Sequence, residues 1–272
     1  MKAYISEKNR QSWNDYAEAY ARHHHSAGML SRILEDPVRA FHREVWALMR
    51  QYVPSMAGRS VCVPSSGDNL AVFAFALLGA QVTSCDISEN QLAHAQAAAE
   101  RMGISARIRF VCTNTMTLSG LPDRTFDFVY TSNGVHVWID DLAAMYRSVY
   151  RIMRPGAYYL MYDVRPFQRP FDQDARIIKP YDRTGPYEDV YNINFAWRVQ
   201  DILNAMLDAG LRLSHIAELF AEKDYEAPYW APSESLVAGA TFSRDAVDRM
   251  YDWRQNPMAA LPNWLCLAAQ KP

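Results

Sequence analysis

The chain has 272 residues, half of them hydrophobic, and a formal net charge of −2. That length suffices for one α/β domain with insertions, and the charge leaves no basic footprint for nucleic acid. No run of about eighteen apolar residues exists, so no transmembrane helix is expected, and the polar start MKAYISEKNRQSWNDY lacks a signal peptide's apolar centre.

Ser6 to about Tyr20 reads as a helix, with Trp13, Tyr16 and Tyr20 in one aromatic stripe. The stripe either packs on the domain or lids a ligand mouth. His23, His24 and His25 follow; neighbours on a helix point in different directions and chelate one ion poorly, so they read as surface or loop residues. Asp36 to Tyr52 reads as an amphipathic helix with Pro37 in its first turn. Val61–Val63 is a buried strand running into Pro64-Ser65-Ser66-Gly67-Asp68-Asn69, a tight loop. Leu70–Leu78 is a buried helix stopped by Gly79. Gln81–Cys85 is a second strand ending on Asp86 and Ile87. Loop amides at a helix N-terminus suit an anionic group, and a carboxylate about twenty residues further on suits the two hydroxyls of a ribose. The competing reading of Asp86 is a cap on the next helix.

Ser88 caps a helix to Met102. Arg107–Cys112 and Phe126–Thr131 are strands three and four, Asp140 to Met153 is a helix, and Ala157–Asp163 is strand five. Val164 to Asn194 breaks the rhythm, and a loop this long inside a compact domain is usually functional. Trp197 to Asp208 is a helix and Leu211–Leu219 a strand. Phe220 to Leu261 is a second insertion with one helix, Ser243 to Trp253, and Trp264–Ala269 is the last strand. The expectation is a Rossmann-like, doubly wound α/β fold. It has a seven-stranded, mostly parallel sheet, helices on both faces and an antiparallel last strand paired with Leu211–Leu219. Residues 1–58 would form a helical cap and 59–272 the main domain, with insertions at about 164–195 and 220–261. Cys62, Cys85, Cys112 and Cys266 read as buried small side chains, which fits a reducing cytoplasm.

Several segments together resemble class I S-adenosylmethionine-dependent methyltransferases of the small-molecule type, over about Ser60 to Pro272. VTSCDIS resembles the family's strand-two signature, FDFV its strand four, and RIMRPGAYYL the turn before strand five. The resemblance implies S-adenosylmethionine as cofactor, with S-adenosylhomocysteine as product, and a small-molecule acceptor. Asp86 would hold the ribose, Asn114 and Thr115 the adenine, and Thr131, Ser132 and Asn133 the methionine end. His136 matches a recurrent histidine, read as a general base, a substrate contact or a packing residue. Tyr16, Tyr20 and Trp138 offer aromatic faces to a sulfonium. Tyr162, Asp163 and Arg165, at the carboxyl end of strand five, are substrate-side candidates. The chain departs from the family in its first loop, which has one glycine where three are usual. Asp68 is a candidate for the cofactor's ammonium. No metal, nucleic-acid or membrane partner is expected, and the protein would be a cytoplasmic monomer or homodimer. Two alternatives stay open: a non-catalytic S-adenosylmethionine-binding or scaffold protein of the same fold, and an NAD(P)-dependent oxidoreductase.

Overall fold

The computed structural model describes residues 2–272 apart from 233, 234 and 237. Those three belong to the expected second insertion and lie outside the described residues.

Short apolar runs build the sheet. β1 (Ser60–Pro64) is parallel to β2 (Gln81–Asp86) and β4 (Phe126–Ser132). β3 (Ile108–Cys112) pairs with β2, and β5 (Met153–Val164) with β4. β9 (Trp264–Gln270) enters antiparallel between β5 and β8 (Arg212–Leu219), so the order is β3-β2-β1-β4-β5-β9-β8. The expected edge pairing of the last two strands is present. Alternation along each strand splits the core. Val61, Val63, Phe128, Tyr130 and Leu160 face one layer, and Cys62, Val129, Tyr159 and Met161 face the other. Helices cover both faces, which is why the strands read as continuous apolar runs.

The first layer holds α2 (Ala27–Glu35), α3 (Arg43–Tyr52), α4 (Ala71–Leu77) and α5 (Glu89–Arg101). The second holds α6 (Leu142–Ile152) and α7 (Val199–Asp208). Every residue of α4 from Ala71 to Ala76 is buried, as its uninterrupted apolar run implies. Gly79 follows at φ +91°, and a Cβ there would lie 3.2 Å from the Ala57 backbone, so glycine is required.

The expected helix over Asp36 to Tyr52 is broken. Asp36 caps a short 3-10 turn at Pro37–Ala40, Phe41 is extended, and His42 caps α3. Phe41 is the cause: it is buried against Phe75 and Trp46, a position a continuous helix would not give it. Leu30, Ile33, Val45, Leu48 and Met49 likewise bury in the main core. Only α1 (Lys2–His24) stands apart as a cover, so packing does not divide the chain at residue 58. Cys112 corrects the thiol expectation: it is exposed on the edge strand β3, while the other three cysteines are buried. No helix among the described residues is long and apolar enough to cross a membrane.

Candidate active site

The carboxyl ends of β1, β2 and β4 meet in a cavity of about 120 Å³. Its floor is the loop after β1. Ser65 has φ +48° and Gly67 φ +47°, so two left-handed residues turn the chain where only one is a glycine. The serines compensate by hydrogen bonding. Ser65 Oγ lies 2.7 Å from Thr115 Oγ1, and Ser66 Oγ lies 2.8 Å from Ser84 Oγ. Gly67 N–H donates to Asp86 Oδ2 at 2.7 Å, and Ser88 N–H to Oδ1 at 2.9 Å. Asp86 is thus held by the amides of Gly67 and Ser88, with a further contribution from that of Ile87, and its two oxygens together retain accepting capacity for a ligand. Burial dominates its titration and pushes its pKa up to about 6, against the opposing pull of those amides.

One lining residue was invisible to the sequence reading. Gln91, on α5, is fully buried, and neither its amide nitrogen nor its oxygen has a hydrogen-bond partner. An unsatisfied buried amide costs about 1–3 kcal/mol, so a ligand that pairs with it would recover that energy.

The roof is α1. Ser6, Asn9 and Trp13 line the cavity, and Trp13 packs edge-on against Trp138 with ring centroids 5.2 Å apart. Asn114, an expected adenine neighbour, donates from Nδ2 to Ser6 Oγ at 3.1 Å. Asn14 Oδ1 accepts from Ser88 Oγ at 2.6 Å, which ties α1 to the start of α5. Asn9 is bound at both ends of its amide to Ile193, Nδ2 to the carbonyl and Oδ1 from the N–H, each at 2.8 Å. Ile193 belongs to the small hairpin β6 (Tyr187–Glu188) and β7 (Ile193–Asn194) of the first insertion. N-terminal helix and insertion therefore meet over the site. The three histidines are not simply surface residues. His24 bonds the Asp68 carboxylate, and buried His25 reaches the Asp68 carbonyl at 3.1 Å. The Asp68 carboxylate is already engaged by a side chain of this protein.

Of the residues expected around a cofactor, Ser65, Ser66, Gly67, Asp68, Asn69, Asp86, Ile87, Asn114, Thr115, Ser132 and Asn133 line this cavity. Pro64 and Thr131 are buried behind it, Thr131 bonded to the Tyr159 hydroxyl at 2.6 Å. Tyr16 is 40 % exposed and packs on Tyr191, and Tyr20 packs on Trp13 and His24. The aromatic stripe thus reaches the cavity through Trp13.

His136 does not face the cavity. It is 4 % exposed, with Nδ1 2.5 Å from Asp163 Oδ2 and Nε2 2.8 Å from the Tyr146 hydroxyl. The turn explains this: Asn133 (φ +66°) and Gly134 (φ +94°) lead into a 3-10 turn at His136–Trp138. That turn brings Val135 and Trp138 to the cavity and sets His136 beside α6. Asp163 is buried as its partner. Tyr162 packs on Trp264 and His42, and Arg165 pairs with Glu218. Of the expected substrate-side residues, only Trp138 borders the cavity. His136→Ala should therefore cost about 1–3 kcal/mol of stability, since it removes the imidazole's bonds to Asp163 and Tyr146 while the carboxylate keeps the N–H groups of residues 136 and 164. Urea denaturation measures it, and an unchanged midpoint would contradict the structural role.

A second, wider cleft of about 1270 Å³ opens between the two insertions and shares Trp138 with the cavity.

Residues 64–161 match the profile of the family described as "Methyltransferase domain". A sterol 24-C-methyltransferase of Gibberella zeae is 29 % identical over 179 residues, covering 64 % of this chain and 45 % of its own. The chain thus spans under half the length of that curated relative. Geranyl diphosphate C-methyltransferase from Streptomyces coelicolor superposes with a TM-score of 0.61 at 16 % identity, covering 98 % of both chains. The [4+2]-cyclase SpnF gives the same TM-score at 19 % identity, covering 85 % of this chain and 81 % of that one. Residues 64–161, under half of the chain, thus match the methyltransferase-domain family model, and the sheet around them shares the Rossmann-like fold of a solved S-adenosylmethionine-dependent methyltransferase from Mesorhizobium loti, at a TM-score of 0.57 and 22 % identity.

Proposed function

We propose that the protein transfers the methyl group of S-adenosylmethionine to a small molecule. The observation that carries this reading is the convergence of the Asp86 carboxylate and the unpartnered Gln91 amide on one cavity at the carboxyl ends of β1 and β2. Both have free hydrogen-bonding capacity suited to a ribose. Asn114 and Thr115 would border the adenine, and Asn69, Ser132 and Asn133 the methionine end. S-adenosylmethionine supplies, when bound, an electrophilic methyl group on a sulfonium.

The chain's own part is alignment and exclusion of water, which can supply much of the rate of such a transfer. Trp13 and Trp138 present aromatic faces, which favour a cation. Trp138 borders both cavities, so it would stand between donor and acceptor. His136, with both ring nitrogens engaged, would position the turn that carries Trp138 rather than take a proton from the acceptor. The cavity is smaller than the roughly 300 Å³ at which small-molecule pockets begin. Entry would therefore require α1 to swing outward. The proposal has the enzyme working in the cytoplasm, as a monomer or homodimer.

The cyclase among the structural neighbours supports keeping a second reading, in which the same fold binds the cofactor and does other chemistry. Incubation with S-adenosylmethionine tritiated in its methyl group, together with the low-molecular-mass fraction of the source cells, separates the two. Transfer of label to a new small molecule is expected; label remaining wholly in the donor would leave only the second reading.

A further inference from the structure

The cleft between the insertions is lined by three bases and three acids that differ in how far their polar atoms are already engaged. Arg169, Lys179 and Arg249 line it, as do Asp172, Asp174 and Asp189. The acids are already engaged. Asp172 accepts the backbone N–H groups of Asp174 and Arg176, and Asp189 those of Tyr191 and Asn192. Asp174 lies 3.6 Å from Arg176. The bases are not: among the described residues none of the three forms an ion pair. Arg169 is half-buried; among the described residues its Nε–H has no partner, and the guanidinium's one hydrogen bond is a 3.5 Å contact from Nη2 to the Phe195 carbonyl. Burial holds its pKa below the usual arginine range. Lys179 sits only on the face of Tyr187, 4.1 Å from the ring centroid. The indole N–H of Trp230, in the same cleft, is also buried without a partner.

An enclosed guanidinium with no carboxylate in contact, Asp163 acting on it only from a distance, is costly, and two enclosed donors without acceptors add to that cost. An oxyanion placed among them would remove both costs and match the planar fork of the arginine. The rest of the lining is largely apolar and includes Phe171, Tyr229, Met250 and Met258. We propose that this cleft binds an amphipathic molecule through a carboxylate or phosphate held by Arg169, Lys179 and the Trp230 N–H, with its apolar part on the aromatic and methionine wall. As an assignment of the acceptor class, this rests on the methyltransferase reading, because Trp138 joins the two cavities.

Decyl phosphate, decanoate and decanol are suitable probes, titrated into the full chain with and without saturating S-adenosylhomocysteine. Decyl phosphate or decanoate should bind at least about tenfold more tightly than decanol, as expected for a charge-assisted bidentate contact. Arg169→Met should erase that preference, and Lys179→Met should reduce it, while S-adenosylhomocysteine affinity stays unchanged. Equal binding of anion and alcohol by the wild-type protein overturns the proposal, as does a preference that survives both substitutions. Which anion is favoured separates the carboxylate from the phosphate. Failure of S-adenosylhomocysteine to bind would overturn the donor-site reading alone, since the comparison without it still decides this one.

Discussion

Deletion of residues 1–25 is expected to abolish methyl transfer and to weaken S-adenosylhomocysteine binding by about 30- to 1,000-fold, roughly 2–4 kcal/mol for the loss of several hydrogen bonds and an aromatic wall. The deletion removes Ser6, Asn9 and Trp13 from the cavity and the His24 contact from Asp68. It spares Ser26, whose hydroxyl caps α2, and it takes little from the sheet's core. The folded sheet should persist by circular dichroism. Asn9→Ala offers a gentler version, because the Asn9–Ile193 amide pair joins α1 to the first insertion. It should speed ligand release while leaving the loop after β1 intact. Full turnover by the truncated protein would remove α1 from the mechanism.

Asp86→Asn is expected to weaken S-adenosylhomocysteine binding by about 1.5–3 kcal/mol, the range for hydrogen bonds to a charged group. The substitution also turns an amide N–H toward the N–H of Gly67 or Ser88, so some loss of stability should accompany it. A pH dependence distinguishes the two effects. Burial raises the Asp86 pKa from 3.8 to about 6, so the folded protein holds that proton more firmly than the unfolded chain does. The group's contribution to stability is thus greatest below 3.8 and is lost as pH rises through about 6. Ribose hydroxyls donate to the ionised form. Affinity should therefore rise with pH up to about 6 and then level, with a proton released on binding below that point. Calorimetry in buffers of different ionisation enthalpy reads the proton directly. A flat profile in the wild-type protein, or one unchanged in Asp86→Asn, would exclude Asp86 as the ribose partner.

The sheet was legible because its determinants are local. Continuous apolar runs marked strands covered on both faces, Ser88 and Ser243 marked helix starts, and Gly79 marked an end. The loop residues and Asp86 were legible for the same reason: spacing along one strand–loop–helix–strand unit fixes where they fall. Trp13 stood in the aromatic stripe already read as a possible lid, but Gln91 and Asn9 were harder. A polar residue on an amphipathic helix ordinarily signals solvent, and only the packing of α1 across α5 and the β6–β7 hairpin turns these residues inward. The contact between His24 and Asp68 joins residues far apart in sequence, so no local pattern announces it. His136 had three open readings, of which the structure favours packing. Its position after β4 was correctly placed near the site, but side-chain direction there depends on two left-handed residues, Asn133 and Gly134. A non-glycine in that conformation is uncommon, and the Asn-Gly pair was the available clue.

The most direct measurement is a calorimetric titration of S-adenosylhomocysteine into the full chain at a pH well above 6, where Asp86 is ionised. Saturable binding at one site per chain, lost or strongly weakened in Asp86→Asn, is the expected result. No saturable binding to a folded wild-type protein, or equal affinity in the variant, would contradict the assignment of the cavity beneath α1 to the cofactor.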